Sequence, residues 1–98
     1  MEKFSELIKS GKPVLVDFYA DWCAPCKSME PIVIDVAKTI NGKARIIKIN
    51  IDKNVEAAQA YNVNAVPTFI LFENGNVLWR HPGMIDKSKL VSLINEHA

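Results

Sequence analysis

The sequence has few cysteines and glycines, no bias of charge and no long hydrophobic run. Two cysteines and four glycines among 98 residues exclude a scaffold held by many disulfides and a glycine-rich repeat. Twelve basic and eleven acidic residues give a net charge of +1, with the two signs interspersed along the chain. This balance argues against a nucleic-acid or membrane-surface role driven by charge. No apolar stretch approaches the ~20 residues that a membrane-spanning helix needs.

The length and composition fit one compact domain. Apolar residues make up 49% of the chain, so we expect residues 1–98 to form a single domain with its own core. The first residues lack the apolar region of a signal peptide, and we therefore expect a cytoplasmic protein. A domain cut from a longer exported protein would have the same sequence features and is the alternative. In a reducing compartment one pair of cysteines is more often catalytic or metal-binding than structural.

Hydrophobic periodicity predicts the element order α-β-α-β-α-β-β-α, an α/β protein. A helix joins the first two strands, which should therefore be parallel with a right-handed crossover. Asn74-Gly75 predicts a hairpin between the last two strands, so the sheet should be mixed, with helices on both faces. The strands are predicted at 13–20, 46–51, 68–73 and 77–79, and the helices at about 4–8, 23–40, 55–61 and from 86 onward.

The only two cysteines, Cys23 and Cys26, lie between a buried strand and a helix. This position is typical of a redox-active dithiol. In the first helical turn Cys23 would lie beside unpaired N–H groups that favour its thiolate, and Cys26 should be the more buried thiol. The alternatives are inert core cysteines or a metal site. Zinc needs four ligands, and His81 and His97 do not have finger spacing, so only a site shared by two chains fits.

Asp17 lies within the apolar run of the first strand, where a carboxylate is expensive to bury. It either reaches water at the strand end, or sits in an apolar pocket with a raised pKa and exchanges a proton. Composition alone does not choose between these readings.

Five ordered segments resemble the thioredoxin family from about residue 4 to the end of the chain. They are Val16 to Lys27 (VDFYADWCAPCK), Pro31, Lys48 to Asp52 (KINID), Val66-Pro67-Thr68 and Asn74-Gly75. The resemblance implies a thioredoxin-like fold with strand order 2-1-3-4. A first edge strand that many relatives carry should be missing, which leaves residues 46–51 at the sheet edge.

The resemblance also implies a role for each matching residue. Cys23 would be the attacking thiol and Cys26 the resolving thiol of a redox-active disulfide. Asp17 would serve proton transfer for Cys26, with Lys48 beside it. Pro67 would be a cis-proline that leaves the Val66 backbone free to pair with a target. The residues expected to bind the substrate are Trp22, Ala24, Pro25, Val66, Pro67 and Gly83, with Ala24 standing where the family usually has glycine.

The implied function is a thiol–disulfide oxidoreductase that reduces disulfides of other proteins. It would be a monomer with no bound cofactor or metal, and a flavin- and NADPH-dependent thioredoxin reductase would return it to the dithiol state. An oxidase or isomerase in an oxidising compartment is an alternative. A binding subunit that does not use its thiols is an alternative of another class.

Overall fold

The computed structural model of the protein describes residues 3–98, and in this part of the chain four helices and four strands follow each other in the predicted order. None of the described helices is both long and apolar enough to cross a membrane. The elements are α1 (Phe4–Leu7), β1 (Val14–Tyr19), α2 (Ala24–Ile40), β2 (Arg45–Asn50), α3 (Val55–Ala60), β3 (Thr68–Glu73), β4 (Asn76–Pro82) and α4 (Lys87–His97).

The strands form one mixed sheet in the order β2-β1-β3-β4. Strands β1 and β2 are parallel, whereas β3 is antiparallel to both β1 and β4. This arrangement confirms the predicted fold class and strand order. Within the described residues β2 lies at one edge of the sheet, as expected for the predicted loss of a first strand.

Strand β1 lies inside the sheet, and its two faces are covered by different helices. Leu15 packs in a cluster with residues of α2 and α4, whereas Val14, Val16 and Phe18 pack in a second cluster with Ile8 beside α1. Neighbouring residues of a strand point to opposite faces, so Asp17 belongs to the face of Leu15, which α2 covers.

Helix α2 follows the predicted apolar stripe with one exception. Met29, Val33, Val36 and Ile40 are buried at alternating spacings of three and four residues, as one helical face requires. Ala37, predicted within the stripe, is exposed because it is rotated by about 100° from Val36 along the helix. The helix ends where Asn41 adopts a left-handed conformation with φ of 48°.

The hairpin between β3 and β4 turns at Asn74-Gly75, where φ is 50° and 86°, as a two-residue turn of the primed type requires. A Cβ atom on Gly75 would lie 3.2 Å from the Lys9 side chain, and the Gly75 N–H donates to the Ile8 carbonyl over 3.1 Å. Strand β4 extends to Pro82, beyond the predicted end at residue 79. It is an exposed edge strand, held by pairing with β3 rather than by an apolar pattern.

Truncation of the α2 stripe should destabilise the fold, whereas truncation of its exposed face should not. Met29 is fully buried, and Met29→Ala is expected to lower the free energy of unfolding by about 2–5 kcal/mol because it leaves a cavity. Ile34 lies on the same helix with 57% exposure, and Ile34→Ala should change the free energy by less than about 0.5 kcal/mol. Urea denaturation of both variants tests this. An equal decrease in the free energy of unfolding of the two variants would contradict the assignment of the buried face.

Candidate active site

Cys23 and Cys26 are joined by a disulfide at the start of α2. Cys23 is the N-cap residue, with extended backbone angles, and its sulfur accepts a hydrogen bond of 3.2 Å from the Cys26 N–H. That N–H is one of the donors that a helix N-terminus leaves without a helical partner. Pro25 lies in the first helical turn, where its missing N–H removes no helical bond. The helix terminus therefore stabilises negative charge on the Cys23 sulfur once the disulfide is open.

Burial does not distinguish the two cysteines. Cys23 is 3% exposed and Cys26 is 4% exposed, so the prediction that Cys26 is the more buried of the two is wrong. Cys23 packs in a cluster with Ala20 and Cys26, and Val66 closes the cluster from another part of the chain. The difference between the two sulfurs comes from the position of Cys23 at the helix cap.

The segment around Pro67 lies against this disulfide. The Val66–Pro67 peptide bond is cis, and the Val66 carbonyl oxygen lies 3.6 Å from the Cys23 sulfur. A disulfide sulfur carries no hydrogen, so this is a packing contact. The Gly83 N–H donates to the Pro67 carbonyl over 2.7 Å, and Gly83 has a φ of 91°, which side chains rarely adopt. This hydrogen bond joins Gly83 to the Val66-Pro67 segment, which lies against the Cys23 sulfur.

The residues around the cysteines in sequence form an exposed surface. Trp22 is 69% exposed, and Ala24 and Pro25 are also exposed. The Trp22 indole N–H donates to the Asp52 carboxylate over 2.9 Å, and the Asp52 N–H in turn donates to the Asn50 side chain. The large ring is therefore held in one orientation although it faces solvent.

Asp17 is buried in β1 with 2% of its surface exposed. Its Oδ1 atom has no hydrogen-bond partner within residues 3–98. Burial raises the pKa of Asp17 from 3.8 to about 6, the charge of Lys48 opposes the rise, and the charge of Glu30 adds to it. Of the two interpretations of Asp17, the structure shows the one in which the carboxyl is buried and does not reach water at the strand end.

Lys48 lies in β2 directly beside Asp17 in the strand register. Its ammonium forms an ion pair of 3.2 Å with Glu30 of α2 and lies 4.5 Å from the centre of the Tyr19 ring. Both members of the ion pair are partly exposed, so the pair lies at the boundary between the buried carboxyl and solvent.

No group of three or more histidine, cysteine, aspartate or glutamate side chains in residues 3–98 is arranged to hold a metal ion. Two surface cavities of about 400 and 840 Å³ lie elsewhere, one against β4 and α4 and the other against α1 and α3. Neither is lined by the cysteines or by the residues predicted to bind substrate. An open surface around the disulfide suits a protein target better than a small molecule.

Sequence reasoning missed Glu30 and Asp52. Glu30 lies four residues after Cys26 on α2, and helical periodicity places it on the same side of the helix. Asp52 ends the Lys48 to Asp52 segment that resembles the family, but its contact with Trp22, 30 residues away in the sequence, has no local pattern that predicts it.

A disulfide that caps a helix next to the central strand, and faces a cis-proline segment, can open and close by exchange with other disulfides. The fold and the site therefore define a thioredoxin-fold oxidoreductase.

Comparison with known proteins gives the family. The thioredoxin family model matches residues 1–96. A thioredoxin from Chlamydia pneumoniae is 46% identical over 97 residues, which cover 99% of this chain and 93% of that protein. One from Rickettsia bellii is 39% identical over 92 residues, covering 94% of this chain and 88% of the relative. A solved thioredoxin mutant from Halobacterium salinarum has a TM-score of 0.86 and 38% identity, covering 95% of this chain and 80% of that one.

The chain therefore belongs to the thioredoxin family, a family of protein-disulfide reductases, and it is a thiol–disulfide oxidoreductase. The resemblance found in the sequence is confirmed over nearly the whole chain.

The raised pKa of Asp17 predicts a specific pH dependence of stability. The unfolded chain releases this proton near pH 3.8 and the folded protein near pH 6. Between these values the folded state binds more protons, so the free energy of unfolding falls as the pH rises. The interval corresponds to a loss of stability of roughly 3 kcal/mol, which is absent below pH 3.8 and complete above pH 6.

Asp17→Asn should remove this dependence, because asparagine has a similar shape and does not ionise. Relative to the variant, the free energy of unfolding of the natural protein should fall by about 3 kcal/mol between about pH 3.5 and about pH 7.5. Urea denaturation of the oxidised form measures it. Asp21→Asn, at an exposed position nearby, is the control. Parallel stability profiles for the Asp17 variant and the natural protein would contradict a buried carboxyl with a raised pKa.

Proposed function

We propose that this protein reduces disulfides of other proteins, with Cys23 as the attacking thiol and Cys26 as the resolving thiol. The observation that carries the proposal is the hydrogen bond from the Cys26 N–H to the Cys23 sulfur at the N-terminus of α2. This bond and the helix dipole favour a thiolate on Cys23, and the thiolate is the nucleophile in thiol–disulfide exchange.

In the first step the Cys23 thiolate attacks one sulfur of a target disulfide. A bond forms between Cys23 and the target, the target disulfide breaks, and the second target sulfur leaves as a thiolate that takes a proton from water. The surface formed by Trp22, Ala24 and Pro25 would contact the target. The Val66 backbone, adjacent to the Cys23 sulfur, would pair with an extended target segment, as in strand addition.

In the second step Cys26 resolves the mixed disulfide. Asp17 accepts the proton of the Cys26 thiol, and the resulting thiolate attacks the Cys23 sulfur. The Cys23–Cys26 disulfide forms, the bond to the target breaks, and the target leaves with both sulfurs reduced. Two electrons have passed from this protein to the target. A carboxyl whose pKa burial raises to about 6 is a stronger base than an ordinary aspartate, which supports this role for Asp17.

The disulfide left after each turnover must be reduced again. Family membership supports a flavin- and NADPH-dependent thioredoxin reductase as the electron donor. This chain needs no cofactor of its own, because the electrons reside in its two thiols. We propose that residues 1–98 act as one monomeric domain in the cytoplasm, where such a donor keeps the cysteines reduced.

Replacing the resolving thiol should trap the mixed disulfide. With Cys26→Ser, the first step proceeds and the second cannot, so a covalent adduct with a disulfide-bonded protein should accumulate, visible on a non-reducing gel and released by dithiol. Cys23→Ser is the matched control and should form little adduct, since it lacks the nucleophile.

Adducts of equal yield in the two variants would contradict the assigned roles. The double variant Cys23→Ser, Cys26→Ser tests the alternative of a binding subunit. Full biological function of that variant would show that the protein does not act through its thiols.

The reduction potential of the Cys23–Cys26 pair should be close to the value of about −270 mV known for thioredoxin. Thiol trapping in dithiol buffers of defined ratio at neutral pH measures it. A potential of about −180 mV or above would instead favour an isomerase or oxidase and would contradict the proposed direction of electron flow.

A further inference from the structure

The ammonium of Lys48 is held away from the buried carboxyl beside it. Lys48 and Asp17 are paired in the parallel register of β2 and β1, so both side chains emerge on the sheet face that α2 covers. A lysine so close to a buried, unpaired carboxylate would be expected to donate to it. Instead its Nζ atom lies 3.2 Å from Glu30 Oε1, and Asp17 Oδ1 has no hydrogen-bond partner within residues 3–98.

Two groups hold Lys48 in this position. Glu30 projects from α2 one helical turn after Cys26 and supplies the opposite charge. The Tyr19 ring, at the end of β1, supplies an aromatic face 4.5 Å from the ammonium. The Lys48 and Glu30 side chains are 40% and 53% exposed, so their ion pair stays at the solvent boundary rather than beside the carboxyl.

We propose that Glu30 is a positioning residue for the thiol exchange. Its carboxylate holds the Lys48 ammonium away from the Asp17 carboxylate, and Asp17 is therefore a stronger base toward Cys26. The part of this inference that concerns Cys26 rests on the proposed function. The part that concerns Glu30, Lys48 and Asp17 rests on the contacts alone.

The ionisable groups around Asp17 support this reading. The charges that act on Asp17 are those of Lys48 from β2 and Glu30 from α2. Tyr19 lies two residues further along the same face of β1, and β3 places the apolar Phe69 opposite Asp17. After burial, which has the largest effect, Lys48 lowers the pKa of Asp17 and Glu30 raises it. Glu30 thus acts in two ways, directly through its own charge and indirectly by holding the opposing charge of Lys48 at the surface.

The test is a titration of the Asp17 carboxyl, followed by its ¹³C chemical shift in the oxidised protein. Glu30→Gln removes the charge of Glu30 and keeps its size, and Lys48→Met removes the ammonium and keeps the apolar stem. The matched control is Asp35→Asn, because Asp35 lies on the same helix, is 57% exposed and forms a similar ion pair of 3.0 Å with Lys87.

Glu30→Gln should lower the titration midpoint of Asp17, since Lys48 is then free to approach the carboxylate. The proton affinity should fall by at most about five-fold, the range typical of a partly exposed ion pair. Lys48→Met should raise the midpoint, and Glu30→Gln in the Lys48→Met background should lower it by less than in the natural protein. Asp35→Asn should leave it unchanged.

An unchanged or raised midpoint in Glu30→Gln would overturn the inference. Equal lowering with and without Lys48 would also overturn it, because the effect would then be direct repulsion only. The rate of the resolving step against pH separates this result from the proposed function. If the midpoint moves while the pH profile of that step does not, Glu30 acts as inferred and the role proposed for Asp17 in exchange is wrong.

Discussion

The pairing of β1 along both of its edges is the constraint on which the rest of the molecule depends. β1 bonds to β2 on one side and to β3 on the other, and helices cover both of its faces. Its carboxyl end leads within a few residues to the cap of α2, where the Cys23 N–H donates to the Ala20 carbonyl over 3.2 Å. The position of the disulfide is therefore fixed by a strand that is paired along both edges and covered on both faces.

Because β1 is enclosed in this way, the buried carboxylate of Asp17 lowers the stability of the fold. An apolar side chain at this position would be compatible with its neighbours, whereas the carboxylate reduces stability at neutral pH by roughly 3 kcal/mol, against a typical total of about 5–15 kcal/mol. The nearby exposed ion pair contributes about 0–1 kcal/mol and cannot offset that loss. A strand designed for stability alone would not contain this residue, so its presence fits a chemical role better than a structural one.

The fold could be predicted largely from local patterns, because the buried strands are continuous apolar runs and α2 has a clear helical stripe. The limits of β4 could not, since an edge strand has little apolar pattern and is defined by its partner. In the site, the cysteine pair is visible in the sequence, whereas the cis bond at Pro67 required the family resemblance because only ~5–6% of such bonds are cis. The ion pair of Lys48 and Glu30, and the burial of Cys23 by Val66, depend on tertiary contacts that no local pattern records.

The register of β1 against β3 also determines the order in which the chain can assemble during synthesis. Val14 pairs with Phe72, a residue made 58 positions later. Until β3 has left the ribosome, one edge of an almost wholly apolar strand has no partner, and the parallel edge is also incomplete until β2 follows α2. Among the four described strands β1 is made first, yet both of its edges are paired only after β3 is made, so until then it is open to mispairing in the nascent chain.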